Sequence, residues 1–236
     1  MLILFLHLSS MRKVPIKSKG FDWRDRGAIL PVPDQGTGRD AGILNVLATL
    51  SAKHYQRSGG QLVKLSDQQV YDCQDSWCPG SHVKDPLSVY DFLMKGIGMA
   101  SEQSYPYTGH CEHKCPKNVT VVTRLGGVAK TGHPGEEDIM ETFLSNGPVV
   151  ATVRVGRLWE TYTGGVFDNI GDCPGDGDYN HNVLVVGYGE DPTGVKYWIA
   201  RNSWGPNWGE NGYIRLIRNK NMCGIGNHFG QPVLAS

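Results

Sequence analysis

The chain lacks net charge. Across 236 residues, 23 Lys and Arg stand against 23 Asp and Glu. A nucleic-acid binder usually carries a basic excess, so that class is disfavoured. Attraction to anionic membranes is disfavoured for the same reason. No apolar run reaches the roughly 20 residues that span a bilayer. Repeats and low-complexity tracts are absent. So is a Gly-X-Y period, although glycine (31) and proline (13) are plentiful and imply many loops. No Cys-x-x-Cys pair exists, which argues against a zinc finger. No cysteine at all precedes Cys73. A content of 39% apolar and 19% charged residues excludes a wholly disordered chain.

What is present starts with six cysteines: Cys73, Cys78, Cys111, Cys115, Cys173 and Cys223. An even number without metal spacing reads as three disulfides. That places the protein in an oxidising compartment, secreted to the extracellular space or lysosomal. Leu2 to Leu8 form a short apolar run like the core of a signal peptide. Arg12 and Lys13 follow this run instead of preceding it. Residues 1–13 are therefore expected to be a signal-like or truncated leader, ahead of one domain over 14–236. Asn118-Val119-Thr120 is a glycosylation sequon, with Asn118 as acceptor.

Periodicity orders the rest. Residues 41–58 carry a broad apolar face and predict a helix that Gly59-Gly60 stops. Ser66 is the N-cap of a short helix from Asp67 to Asp72. Further helices are expected from Pro86 to Lys95 and from Glu136 to Ser145. Strand patterns follow at Val149–Val153, Asn182–Val186, Lys196–Ala200 and Tyr213–Arg218. Helices first and strands later define an α+β chain with a helical half and a sheet half.

Four blocks are more specific. Phe21-Asp22-Trp23-Arg24-Asp25-Arg26-Gly27 leads to Val32-Pro33-Asp34-Gln35-Gly36. Leu65-Ser66-Asp67-Gln68-Gln69-Val70-Tyr71-Asp72-Cys73 comes next. Asn180-His181-Asn182 opens a run that ends at Gly187-Tyr188-Gly189. Tyr197-Trp198-Ile199-Ala200-Arg201-Asn202-Ser203-Trp204-Gly205 continues to Trp208-Gly209 and Gly212-Tyr213. Together they resemble the papain-like (C1-type) cysteine peptidases, the cathepsin family, over about Val14 to Ser236. The resemblance implies two lobes with a cleft between them. The helical lobe is expected at about 41–116 and a β-barrel-like lobe at about 117–230. It places the catalytic histidine at His181, its orienting asparagine at Asn202 and the oxyanion glutamine at Gln35. Trp204 would shield the His181–Asn202 hydrogen bond from water. No metal or organic cofactor is implied.

The nucleophile breaks the pattern. In such peptidases a cysteine thiolate attacks the peptide carbonyl. It stands six residues after the oxyanion glutamine, and here that position is Ala41. The departure is broad. Gly38 stands where a disulfide cysteine is expected, Arg39 where a glycine is expected, and Gly42 where a tryptophan is expected. Thr37 and Asp40 are the nearest other nucleophiles. The cleft rim also differs, with Cys78-Pro79-Gly80-Ser81 placing Ser81 at an expected glycine. Asn182 follows His181, where a small residue usually leaves room for a substrate side chain. Arg39 is expected to reach into the groove.

By resemblance, Cys173 pairs with Cys223. Cys73 pairs with Cys111 or Cys115, and the remaining one can take Cys78, whose expected partner position is Gly38. The leading expectation is a monomeric, catalytically inactive member that acts by binding. Its partner would be a peptide or protein, a cystatin-type inhibitor among the candidates, with no nucleic acid and no membrane. The alternative is an active cysteine-type endopeptidase, with a sequence error or an unusual nucleophile. His181, Asn202 and Gln35 are then retained either for binding geometry or for packing alone. The family's long pro-region has only about 13 residues in its place here.

Overall fold

The computed structural model describes residues 20–236, apart from 75, 84, 132–136 and 174–178. The expected leader over 1–13 lies outside the described residues. The chain opens with β1 (Phe21–Asp22), then α1 (Ala41–Ser58), α2 (Asp67–Cys73) and α3 (Leu87–Leu93). β2 (Gly98–Ala100), β3 (Val121–Thr131), α4 (Glu137–Leu144), β4 (Val149–Val153) and α5 (Arg157–Glu160) follow. The last part holds β5 (Val166–Phe167), β6 (His181–Glu190), β7 (Lys196–Arg201), β8 (Tyr213–Ile217) and β9 (Phe229–Leu234). The helix expected from Glu136 is α4, and Glu136 itself lies outside the described residues.

α1 is the central element. Asp40 caps it, its Oδ1 accepting from the Ile43 N–H at 3.1 Å. Gly59 ends it in the left-handed conformation, φ 76°, with its N–H donating to the Tyr55 carbonyl. From Ala41 to Ala52 every residue is buried, so the helix has no solvent face over that length. Its polar side chains must then find internal partners. Asn45 donates from Nδ2 to the Asn182 carbonyl at 2.9 Å. Thr49 donates to the Val46 carbonyl at 2.6 Å, and Ser51 to the Leu47 carbonyl at 2.9 Å.

The strands of the described residues form one sheet in the order β2-β3-β9-β4-β6-β7-β8-β5, with β1 added to β6. All pairings are antiparallel except β5 with β8. β6 is buried from His181 to Gly189, which suits its run of Val and Leu. β1 enters beside it, Asp22 opposite Gly187. A Cβ on Gly187 would collide with the Phe21 carbonyl oxygen, so glycine is required there by close approach.

Two cores flank α1. One gathers Ile43, Val46, Leu50, Val70, Tyr71, Tyr90 and Leu93. The other gathers Trp159, Val183, Val185, Trp198, Ile214, Leu216 and Phe229. The helical half is not purely helical. β2 lies within it and pairs with β3, while Leu125 and Val150 of the sheet complete its core. β9 runs past residue 230 to Leu234. β3 and β9 were not among the expected strands.

The disulfides are Cys73–Cys115, Cys78–Cys111 and Cys173–Cys223. This resolves the open pairing of the first four cysteines. Asn118 of the sequon is exposed. Among the described residues, no helix is long and apolar enough to cross a membrane.

Leu50 is fully buried on α1, with no solvent exposure. Leu50→Ala should lower the unfolding free energy by about 2–5 kcal/mol, read as a lower denaturant midpoint at constant slope. Met94, 45% exposed, is the control. Met94→Ala should stay within about 0.5 kcal/mol.

Candidate functional site

The site forms where the head of α1 meets the first residue of β6. Gln35, Asp40, Ala41, His82, Val83, Tyr179, Asn180, His181, Asn182 and Trp204 line one cavity of about 420 Å³. The structure thus brings Gln35, Ala41, His181, Asn182 and Trp204 together.

β6 fixes His181 through its pairing with Val153 of β4. Asn202 follows directly on β7, and is fully buried. His181 Nε2 and Asn202 Oδ1 lie 2.7 Å apart. The Ser203 N–H also donates to that oxygen, at 2.8 Å, which sets the orientation of the amide. With Oδ1 as acceptor, Nε2 bears the proton and Nδ1 holds the lone pair. Trp204 covers the imidazole, ring centroids 4.9 Å apart and planes 35° apart. Trp208 in turn packs edge-on against Trp204 at 5.3 Å. Burial lowers the His181 pKa to about 4, against a smaller upward pull from Asn202. The imidazole is therefore neutral at ordinary pH.

Gln35 is anchored to the same segment. Its N–H donates to the Ser203 carbonyl at 2.8 Å. Its side-chain Oε1 accepts from the Ser203 hydroxyl. Ser203 is thus the residue that joins Gln35 to Asn202.

Ala41 is the first residue of α1, and all six cysteines are in disulfides. Asp40, a candidate nucleophile by sequence, is 4% exposed and fully engaged. Its Oδ1 accepts from Ile43, and its Oδ2 accepts from the Val83 N–H at 2.8 Å. Burial pushes its carboxyl above the ordinary value, against these hydrogen bonds. Thr37 is exposed in the loop before the helix.

Position 42 is closed in. A Cβ there would meet Asp40 Oδ1 at 3.0 Å, Asn182 Nδ2 at 3.2 Å and the Val83 carbonyl oxygen at 3.2 Å. Asn182 spans the cleft, donating from Nδ2 to that carbonyl at 3.2 Å. Its buried Oδ1 has no hydrogen-bond partner among the described residues.

Arg39 does not reach into the groove. Its Nε lies 2.9 Å from Asp67 Oδ2 and a terminal nitrogen lies 3.1 Å from Glu102 Oε1. The guanidinium sits 4.3 Å over the Tyr107 ring. Buried Asp67 needs a cation, and that demand turns the side chain away from the cleft. Gly80 and Ser81 are also absent from the cavity wall. Gly80 donates its N–H to the Gly38 carbonyl at 2.7 Å, and Ser81 Oγ accepts from the Cys78 N–H at 2.9 Å. His82 and Val83 form that wall instead, together with Tyr179. Sequence reading missed these three, because nothing in their local pattern marks a cleft. The capping role of Asp40 was also missed, although an acidic residue immediately before an apolar run is a signal for it.

A family model described as papain family cysteine protease matches residues 17–233. The chain belongs to this papain family. It is 35% identical to fruit bromelain of Ananas comosus over 88% of this chain and 58% of that protein. It is 38% identical to a cathepsin L-like proteinase of Phaedon cochleariae, over 92% and 66%. The chain spans about three fifths of the length of the curated relatives it matches. In three dimensions it is similar to the bromelain protease of Ananas comosus in complex with the E64 inhibitor. The TM-score is 0.80 and the identity 31%, over 92% of this chain and 100% of that one. Digestive procathepsin L2 of Tenebrio molitor larval midgut gives a TM-score of 0.81 at 29% identity, over 92% and 68%. A papain-like fold with a helical part and a sheet part follows from these likenesses and the topology above.

The depressed His181 pKa has a signed consequence. The unfolded chain takes up its proton near pH 6.5, the folded chain only near pH 4. Between these values the unfolded state binds more protons, so stability falls as pH falls. The full effect at pH below 4 is about 3 kcal/mol. His181→Gln should flatten the fall in denaturant midpoint between pH 6.5 and 4. Imidazole NMR should show a neutral His181 down to about pH 5 in the unmodified chain.

Proposed function

We propose that this papain-family chain is a non-catalytic member that acts by binding through its cleft. The carrying observation is the methyl of Ala41 at the head of α1, in a chain whose six cysteines are all bonded to one another. His181 holds a lone pair on Nδ1 and has no thiol to deprotonate. Losing the nucleophile of a triad-type hydrolase costs about 10⁶-fold in kcat. A buried Asp40 carboxylate at the helix N-terminus adds to this. The helix dipole that favours a thiolate in an active site here favours the Asp40 side chain.

The ligand is a peptide or protein segment, with cystatin-type inhibitors among the candidates. Ordinary extended peptides bind weakly, because Asn182 crosses the cleft to Val83 and narrows the space beside His181. The protein works as a monomer, without cofactor, in a secreted or lysosomal setting that three disulfides support. Asn118 carries a glycan there, in keeping with its exposure.

A peptidyl epoxide that alkylates papain-type thiolates tests the reading. No covalent adduct by mass spectrometry and no hydrolysis of fluorogenic peptides above buffer are expected. Labelling would overturn it in favour of an active cysteine peptidase. Hydrolysis that survives the epoxide would overturn it in favour of another nucleophile, Thr37 or Asp40. Nanomolar affinity for an ordinary extended peptide or a cystatin would refute the narrowed cleft.

A further inference from the structure

A second cavity, of about 180 Å³, shares no lining residue with the cleft. The segment that approaches α1 forms one wall, with Leu30 and Val32. α1 supplies Leu44 and Leu47, which share one face at helical spacing. Two charged side chains complete the lining, Arg201 and Lys64, and both are cations. Lys64 is already paired with Glu102 at 2.6 Å.

Arg201 is not paired in this way. It is 1% exposed, and its contacts are all with neutral groups. Nη1 donates to the Leu30 carbonyl at 3.0 Å and to the Pro31 carbonyl at 3.4 Å. Nη2 reaches Asn45 Oδ1 only at 3.4 Å. Nε has no hydrogen-bond partner among the described residues. A guanidinium carries five N–H donors, so these three contacts leave it under-used. Nε–H and an Nη2–H lie side by side on one edge, the fork that a carboxylate takes bidentately. A buried charge without a counter-charge is costly. Burial accordingly pulls the Arg201 pKa down to about 10.

We infer that this cavity binds a small carboxylate with an apolar body about one ring in size, its carboxylate on the Arg201 fork. The walls are the inverse of such a ligand: aliphatic over most of their area, with one uncompensated cation. The size fits as well, since an apolar cavity of about 150 Å³ holds a benzene ring. The bound carboxylate neutralises the guanidinium, and the ring covers Leu30, Leu44 and Leu47. A ligand seated there touches both the approach segment and α1, so it stabilises the folded chain. The site stands whether or not the cleft is catalytic.

The full chain is titrated with phenylpropionate by calorimetry at neutral pH, and its thermal midpoint is read in parallel. One site per chain with a Kd below about 1 mM is expected, together with a raised midpoint. Phenylpropionamide keeps the ring and loses the charge, and acetate keeps the charge and loses the ring. Each should bind at least about tenfold more weakly than the acid. Arg201→Met removes the fork and keeps apolar bulk, and should weaken the acid at least about tenfold. Leu44→Phe fills the cavity without touching the guanidinium, and should cause a similar loss. Absence of any heat or midpoint shift with the acid would overturn the proposal. So would equal affinity for the acid and its amide, an unaltered affinity in Leu44→Phe, or displacement of the His181 imidazole resonances by the acid, which puts the ligand in the cleft instead.

Discussion

The molecule is joined at the head of α1. One carboxylate, Asp40, accepts from Ile43 inside the helix and from Val83 on the opposite strand of chain. One turn on, Asn45 donates to the Asn182 carbonyl of β6 and its Oδ1 faces the Arg201 guanidinium at 3.4 Å. These bonds are buried, so each one unmade would leave a desolvated polar group. They fix the helix against both halves of the chain at once. The cavity between Ala41 and His181 has its shape because this joint has its geometry.

Around that joint lies a set of polar groups in a dry setting. His181, Asn202, Ser203 and Gln35 form one connected set of hydrogen bonds under Trp204. Each of these contacts pairs a donor with an acceptor and none requires a charge, while the buried Nδ2 of Asn202 has no hydrogen-bond partner among the described residues. Burial keeps the imidazole neutral, with a pKa near 4. A partner thiolate would have had the opposite effect, since a nearby negative charge favours the imidazolium. The depressed value is the effect of burial, opposed only by the hydrogen bond to Asn202.

Much of this was legible in the sequence, and for physical reasons. α1 is legible by its apolar face and its Gly-Gly stop. β4, β6, β7 and β8 are dense in Val, Ile, Leu and Tyr. β3 and β9 were not legible. Gly126-Gly127 interrupts β3 at a bulge, and Pro232 sits inside β9, where proline usually argues against a strand. The spatial closeness of Gln35, Ala41, His181 and Asn202 came from motif order, not from local pattern. The direction of Arg39 was beyond sequence reading, because the buried Asp67 and the Glu102 that attract it lie far along the chain. The pairing among the first four cysteines was equally hidden, since spacing along the chain does not reveal which sulfurs meet, whereas Cys173–Cys223 followed from the resemblance.

Gly42 is enclosed on three sides. A Cβ there would press on Asp40, Asn182 and the Val83 backbone, from three separate stretches of chain. Each of these groups is also hydrogen-bonded to another of them. A larger side chain at this position would meet all three at once. Position 42 is therefore coupled to distant parts of the chain, and a larger side chain there calls for matched adjustment of Asp40 and Asn182.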